Sequence, residues 1–195
     1  MIDSSSTGDP AGFLTAEQLE RGLARLAPAP RDRGVITRLL VRHAGGVREL
    51  LTETELTVDG GLVGDSWGRD PQRDPQAQLA VMQEAVAALI ANGQPLELAG
   101  DNLWLDLDLS AANLPPDSQL RAGTVLLEVT PLPHNGCSKF QSRFGPGGLR
   151  LVAQPSTRHL NLRGIYLRVI ESGRVKVGDP IEVTHRAATG PSLVK

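Results

Sequence analysis

A mostly β domain of the sandwich or barrel type, with a few helices and one short N-terminal helix, is the fold class this sequence predicts. Three observations carry the prediction. Short β-branched or Leu-rich runs recur at roughly 8–12-residue spacing. The breaks between them are filled with Gly, Pro, Asp and Asn, the residues of turn chemistry. Only one or two helical stretches interrupt, so a repeating strand–helix–strand pattern is not supported. We read the sheet as closed.

In chain order, residues 1–12 are small and polar and are expected to be disordered. Thr15 opens a T-x-x-Q capping box with Gln18, and Leu19, Leu23 and Leu26 follow at helical spacing. That helix is expected to end before Pro28-Ala29-Pro30, and the segment through residue 33 is an appendage to the domain that begins at Gly34. Strands are expected over residues 35–41 and 50–58, with a turn at Asp59-Gly60-Gly61. Residues 78–82 read as a strand and the Ala-rich 84–91 as a helix stopped by Asn92-Gly93. The run L-W-L-D-L-D-L at 103–109 alternates strictly, which places its leucines on one face and Trp104, Asp106 and Asp108 on the other. Further strands are expected over 124–130, 164–170, 174–177 and 181–184, and residues 185–195 form a loose tail.

The chain has 195 residues with 20 Lys plus Arg against 22 Asp plus Glu, a net charge of −2 and no polybasic block. A domain of this size buries roughly 70% of its unfolded surface and needs no staple to fold. The charge balance argues against a nucleic-acid footprint or an electrostatic membrane anchor. No run of 18 apolar residues suggests a membrane span, and no leader pattern opens the chain. One cysteine, Cys137, cannot form an internal disulfide, so a reducing, cytoplasmic setting is expected. Signatures of phosphate-loop enzymes, Rossmann dehydrogenases, zincins and serine hydrolase elbows are absent from the sequence.

The segment P-L-P-H-N-G-C-S-K-F-Q-S-R-F-G-P-G-G at 131–148 reads as a long loop after a strand, where functional residues concentrate. In it Cys137 has His134 before it and Lys139 and Arg143 after it, and cations beside a thiol favour the thiolate, a nucleophile and soft metal ligand. The alternative is a buried cysteine that packs as a small hydrophobe. Asp101-Asn102 and Asp65-Ser66 each follow a glycine and read as turns or as pocket walls. Arg158, His159, Asn161 and Arg163 precede the strand at 164 and offer a cationic, hydrogen-bonding surface; guanidinium forks match phosphate geometry.

The ordered set G-D-S-W (64–67), G-D-N-L (100–103), L-P-P-D-S-Q-L-R-A-G-T-V-L-L-E-V-T (114–130), H-N-G-C-S-K-F (134–140), R-F-G-P (143–146), R-G-I-Y-L-R-V (163–169) and G-x-V-x-V-G-D-P-I (173–181) resembles the MOSC domain, the domain at the C-terminus of molybdenum cofactor sulfurases. The resemblance spans residues 34–184 and implies a barrel-like β domain. It implies molybdenum cofactor binding with Cys137 as metal ligand or sulfur carrier. Lys139, Arg143, Arg158 and Arg163 would hold the pterin phosphate or an oxyanion, Asp101 and Asn102 would shape the pocket, and His134 would line it. Family members that stand alone reduce N-hydroxylated compounds using an external electron donor. The desulfurase module of the larger relatives, with its Lys-centred pyridoxal phosphate motif, is not in this sequence, so a persulfide on Cys137 would come from a partner cysteine desulfurase. Three readings follow: a cofactor-dependent reductase, a persulfide carrier, and a non-catalytic module for a small anion.

Overall fold

A computed structural model of the chain describes residues 6–188. The strands are β1 (Arg33–Arg42), β2 (Arg48–Leu51), β3 (Glu53–Thr57), β4 (Gly61–Leu62), β5 (Leu79–Gln83), β6 (Leu103–Asp106), β7 (Gln119–Ala122), β8 (Val125–Val129), β9 (Ile165–Glu171), β10 (Gly173–Lys176) and β11 (Pro180–His185). The helices are α1 (Ala16–Leu23), α2 (Ser66–Arg69), α3 (Glu84–Ala91) and α4 (Ser138–Ala153).

Seven strands, in the order β11-β7-β8-β9-β5-β6-β1, close into a barrel because β1 pairs back onto β11 with Gly34 opposite Ile181. Closure leaves no edge inside that ring. β2 hangs on the outside of β1, and β10, β3 and β4 form a separate three-stranded sheet. Every barrel pairing is antiparallel except β5–β6, which α3 bridges as a crossover. The expected closed, mostly β class is the observed one.

Two hydrophobic layers follow from strand alternation. Ile36, Leu39 and Val41 of β1, Leu103 and Leu105 of β6, and Leu120, Leu127 and Leu167 point into the barrel. Leu40, Met82 and Trp104 point outward and are covered by α1, α3 and α4 through Leu19, Val86, Ile90, Phe140 and Phe144. A bulge between Ile36 and Arg38 changes which face β1 presents, since one extra residue shifts the alternation. The Leu/Trp split read from the 103–109 run is at Trp104 a split between two cores, and at the exposed Asp106 one between core and solvent.

Several expectations need correction. The 131–148 loop is mostly helix: α4 starts at Ser138, and Gly145 (φ 77°) with Pro146 kinks it. Glycine and proline disfavour a helix by propensity, but Phe140, Phe144 and Leu151 bury their side chains under it and tertiary packing decides. The predicted strand 50–58 breaks at Thr52 into β2 and β3, and β7 was not anticipated. α1 starts with the predicted Thr15–Gln18 capping box but ends at Leu23. Residues 8–12 are not loose: Pro10–Gly12 form a 3₁₀ turn and the Gly8 N–H donates to the Ser142 carbonyl at 3.1 Å. β11 extends to His185, and the Arg186 guanidinium donates to Asp32 and Asn113, so the tail begins later than expected. Residues 1–5 and 189–195 lie outside the described part. Among the described residues no helix is long and apolar enough to cross a membrane.

Candidate functional site

On the barrel wall around β5, the end of β1 and the entry to β6 approach from one end and the exit from β8 and the entry to β9 from the other, because Leu39 and Val81 both pair with Leu103 in one sense while Val81 pairs with Ile165 and Val129 with Leu167 in the other. The polar residues that meet over β5 form a rim of side chains beside Met82. Gly164 is the hinge that makes it work: its φ is 102°, and a Cβ there would lie 2.0 Å from the Val81 carbonyl oxygen. Only glycine lets the chain pass that close to β5, which sets Arg163 just inside the rim.

Arg163 meets Asp101 there. One Arg163 Nη donates to both carboxylate oxygens of Asp101, at 2.8 and 3.0 Å, and the guanidinium carbon lies 4.9 Å from the Phe140 ring centroid. Asp101 is fully buried and the Arg163 side chain 10% exposed. Buried ion pairs of this kind are costly to break rather than cheap to keep. His134 stacks on Tyr166 with ring centroids 4.3 Å apart, and its Nδ1 lies 3.8 Å from Asp101 Oδ1. Two buried atoms of this cluster, His134 Nδ1 and Arg163 Nε, have no hydrogen-bond partner.

Electrostatics follow from that packing. Burial first, then the charges of Arg163 and Arg42, hold His134 well below the ordinary histidine value, so the ring is neutral at pH 7. Burial raises the Tyr166 phenol, and Arg163 only partly offsets it. Burial also lowers Arg143; Cys137 and Asp101 favour its charged form while Arg163 opposes it.

The two Gly-Asp motifs, 36 residues apart in sequence, prove to be one network. Asp65 Oδ1 accepts from the Arg42 N–H at 2.8 Å and from Arg42 Nε at 3.0 Å, and Oδ2 accepts from Arg42 Nη2 at 2.7 Å. Asn102 Nδ2 donates to Asp65 Oδ1 at 3.1 Å, and Asn102 Oδ1 accepts from the Ala80 N–H and from Arg42 Nη2. Burial pushes the Asp65 carboxyl up, but the hydrogen bonds and charge of Arg42 and the Trp67 N–H outweigh it and hold it below the usual carboxylate range. Asn102 thus faces the sheet and positions Arg42.

Cys137 immediately precedes α4 and is exposed, which removes the reading of a packed core thiol. Arg143, one and a half turns along α4, is buried and interacts electrostatically with Cys137, Asp101 and Arg163. Lys139 is exposed on the first turn. Arg158 is exposed on the 3₁₀ turn Pro155–Leu160 and lines a cleft of about 770 Å³ with His134, Arg163 and Leu162; Cys137 is not in that wall. The structure therefore brings Cys137, Asp101, His134, Arg143 and Arg163 together and sets Arg158 to one side. Sequence reasoning missed Arg42 and Tyr166. Tyr166 stood in the quoted R-G-I-Y motif, whereas Arg42 closes an ordinary strand and carried no signal of its own. Among the described residues no three of His, Cys, Asp and Glu cluster to hold a metal ion.

Similarity to known proteins agrees with this architecture. The fold is similar to that of YuaD from Bacillus subtilis (TM-score 0.60, 18% identity, covering 83% of this chain and 100% of that one). It is similar to YiiM from Geobacillus stearothermophilus (0.56, 16%, 80% and 77%) and to YiiM from Escherichia coli (0.51, 23%, 77% and 71%). At such identities the likeness is one of fold. No curated protein matches the chain. Residues 68–182 match the MOSC domain; that span holds β5 to β10, the start of β11 and every member of the rim cluster but Arg42 and Asp65, and the chain belongs to the MOSC domain family.

Proposed function

We propose that this domain binds a molybdenum cofactor at the rim, with the Cys137 thiolate as the protein's ligand to the metal. The observation that carries the reading is an exposed thiol at the start of a helix that also carries a buried cation: Cys137 lies at the surface just before α4, and Arg143 of α4 is buried and within reach of its charge. The donor set fits the group. Thiolate is a soft ligand suited to a thiophilic centre, and with no group of three His, Cys, Asp or Glu placed to hold a metal among the described residues, the metal's other ligands would come chiefly from the group itself. A pterin dithiolene with a phosphate does that. The unpartnered His134 Nδ1 and Arg163 Nε mark polar demand that an anionic, oxygen-rich group meets.

In this reading Arg143 and Lys139 hold the anionic end by charge, and the Asp65–Asn102 network fixes Arg42 toward the same rim. The Asp101–Arg163 pair and the Phe140 ring keep the floor rigid. His134, held neutral, neither adds a positive charge nor repels the arginines, and it can donate or accept a hydrogen bond. A bound molybdenum centre would supply two-electron oxygen-atom transfer, which suits reduction of an N-hydroxylated compound to the amine and water with two electrons from an external donor and two protons.

The test is metal and pterin content of wild type and Cys137→Ala, purified side by side without reductant from a host that makes the cofactor. Molybdenum near one per chain in wild type and lost in the variant is expected. Equal metal in both, or none in either, overturns the ligand role. A mass increment of one sulfur atom on Cys137, removed by reduction, would replace it with the persulfide carrier.

A further inference from the structure

The cleft of about 770 Å³ beside the rim shares His134 and Arg163 with the cofactor reading, but the rest of its lining is not used by it. It lies between the segment leaving β8, the end of α4 and the 3₁₀ turn Pro155–Leu160. Its volume is that of a small-molecule pocket. Leu132, Val152, Leu162 and Ile165 make its walls apolar, and no aspartate or glutamate lines it. Two arginines do. Arg163 is neutralised by Asp101 at 2.8 Å, whereas Arg158 is exposed and its guanidinium has no acidic partner in the salt bridges of the described residues. The pocket therefore presents one uncompensated cation at its 3₁₀ side, an apolar body, and an inner wall of His134 and Arg163.

We propose that this cleft is the substrate pocket of the rim site and takes an organic carboxylate with an apolar body, its anionic end on Arg158 and its far end against His134 and Arg163. An apolar wall rewards the ligand's carbon framework by area, and a guanidinium in a partly desolvated cleft binds a carboxylate with a charge-assisted, two-pronged hydrogen bond. The inner wall is where the cofactor side begins, since His134 and Arg163 belong both to the cleft and to the cluster with Asp101. Arg158 thus leaves the set of phosphate holders that the sequence suggested and becomes a substrate-binding residue. Calling the occupant a substrate rests on the cofactor reading; the ligand class rests on the cleft alone.

Isothermal titration of the full chain with 2-naphthoate and with the neutral 2-naphthamide tests it, with molybdenum measured on the same preparations. Naphthoate is expected to bind about tenfold or more tightly than the amide. Arg158→Ala should remove that preference and leave amide binding unchanged. Ala153→Trp, a change at an exposed position of the cleft wall, should abolish binding of both. Cys137→Ala should bind naphthoate as wild type does. No naphthoate binding by wild type, equal affinity for acid and amide, or binding indifferent to Arg158→Ala and Ala153→Trp overturns the pocket. Loss of molybdenum dependence on Cys137 with naphthoate binding intact overturns the cofactor reading alone.

Discussion

At the scale of single residues, the rim is governed by charges that have been taken out of water. Asp101 is fully buried against Arg163, so Asp101→Ala leaves a guanidinium buried without its partner; a loss of about 3–5 kcal/mol in urea unfolding is expected. Asp101→Leu combined with Arg163→Met, which removes both charges, should recover much of it. His134 makes a pH prediction. Its folded-state value lies well below 6.5, so the unfolded chain takes up a proton that the native state refuses once the pH falls below about 6.5, and stability falls in that window. His134→Asn should flatten the unfolding profile below about pH 6.5; an unchanged slope would mean the ring is not held neutral. These residues were visible as candidates in the sequence because their types are chemical. Which partner each one has was not visible: nothing local to Arg163 points to Asp101, 62 residues away.

Elements tell a different story, because local patterning carries some of them and packing carries the rest. The alternating 103–109 run and the Thr15–Gln18 capping box announce themselves, and β6 and α1 start where they point, although β6 ends at Asp106 and α1 at Leu23. α4 does not. Its composition is that of a loop, and the one legible hint was Phe140 and Phe144 at helical spacing, followed by a kink at Gly145 that breaks the phase before Leu151. β7 is four residues long and alternates only through Leu120 and Ala122, too short a run to stand out. Two variants probe this scale. Leu19 of α1 is fully buried against the outer face of the barrel, and Leu19→Ala should cost about 2–5 kcal/mol, read as a lower urea midpoint. Gly164→Ala forces both a disfavoured φ and a clash with the Val81 carbonyl; the backbone conformation alone costs about 1–3 kcal/mol. Arg163 should move with it, so naphthoate and molybdenum binding should weaken even in molecules that remain folded.

The whole molecule separates a framework from a rim. The barrel closes through β1 and β11, strands that lie at opposite ends of the domain, and its interior is aliphatic throughout. Cys137 takes no part in that core and is exposed, so Cys137→Ala should leave the free energy of urea unfolding within about 0.5 kcal/mol of wild type while abolishing metal retention. Coincident loss of stability and metal would instead point to a structural thiol. By itself the sequence determined the class of fold, the position of most strands, the appended helix and the residue types able to do chemistry, because alternation, turn residues and caps are properties of neighbours along the chain. Only the tertiary structure decided that the 131–148 segment is a kinked helix, that the two Gly-Asp motifs form one network around Arg42, that Cys137 is exposed, and that Arg158 faces a cleft apart from it. Those outcomes depend on which strands lie side by side, and strand order is set by long-range pairing and burial that no short window of sequence contains.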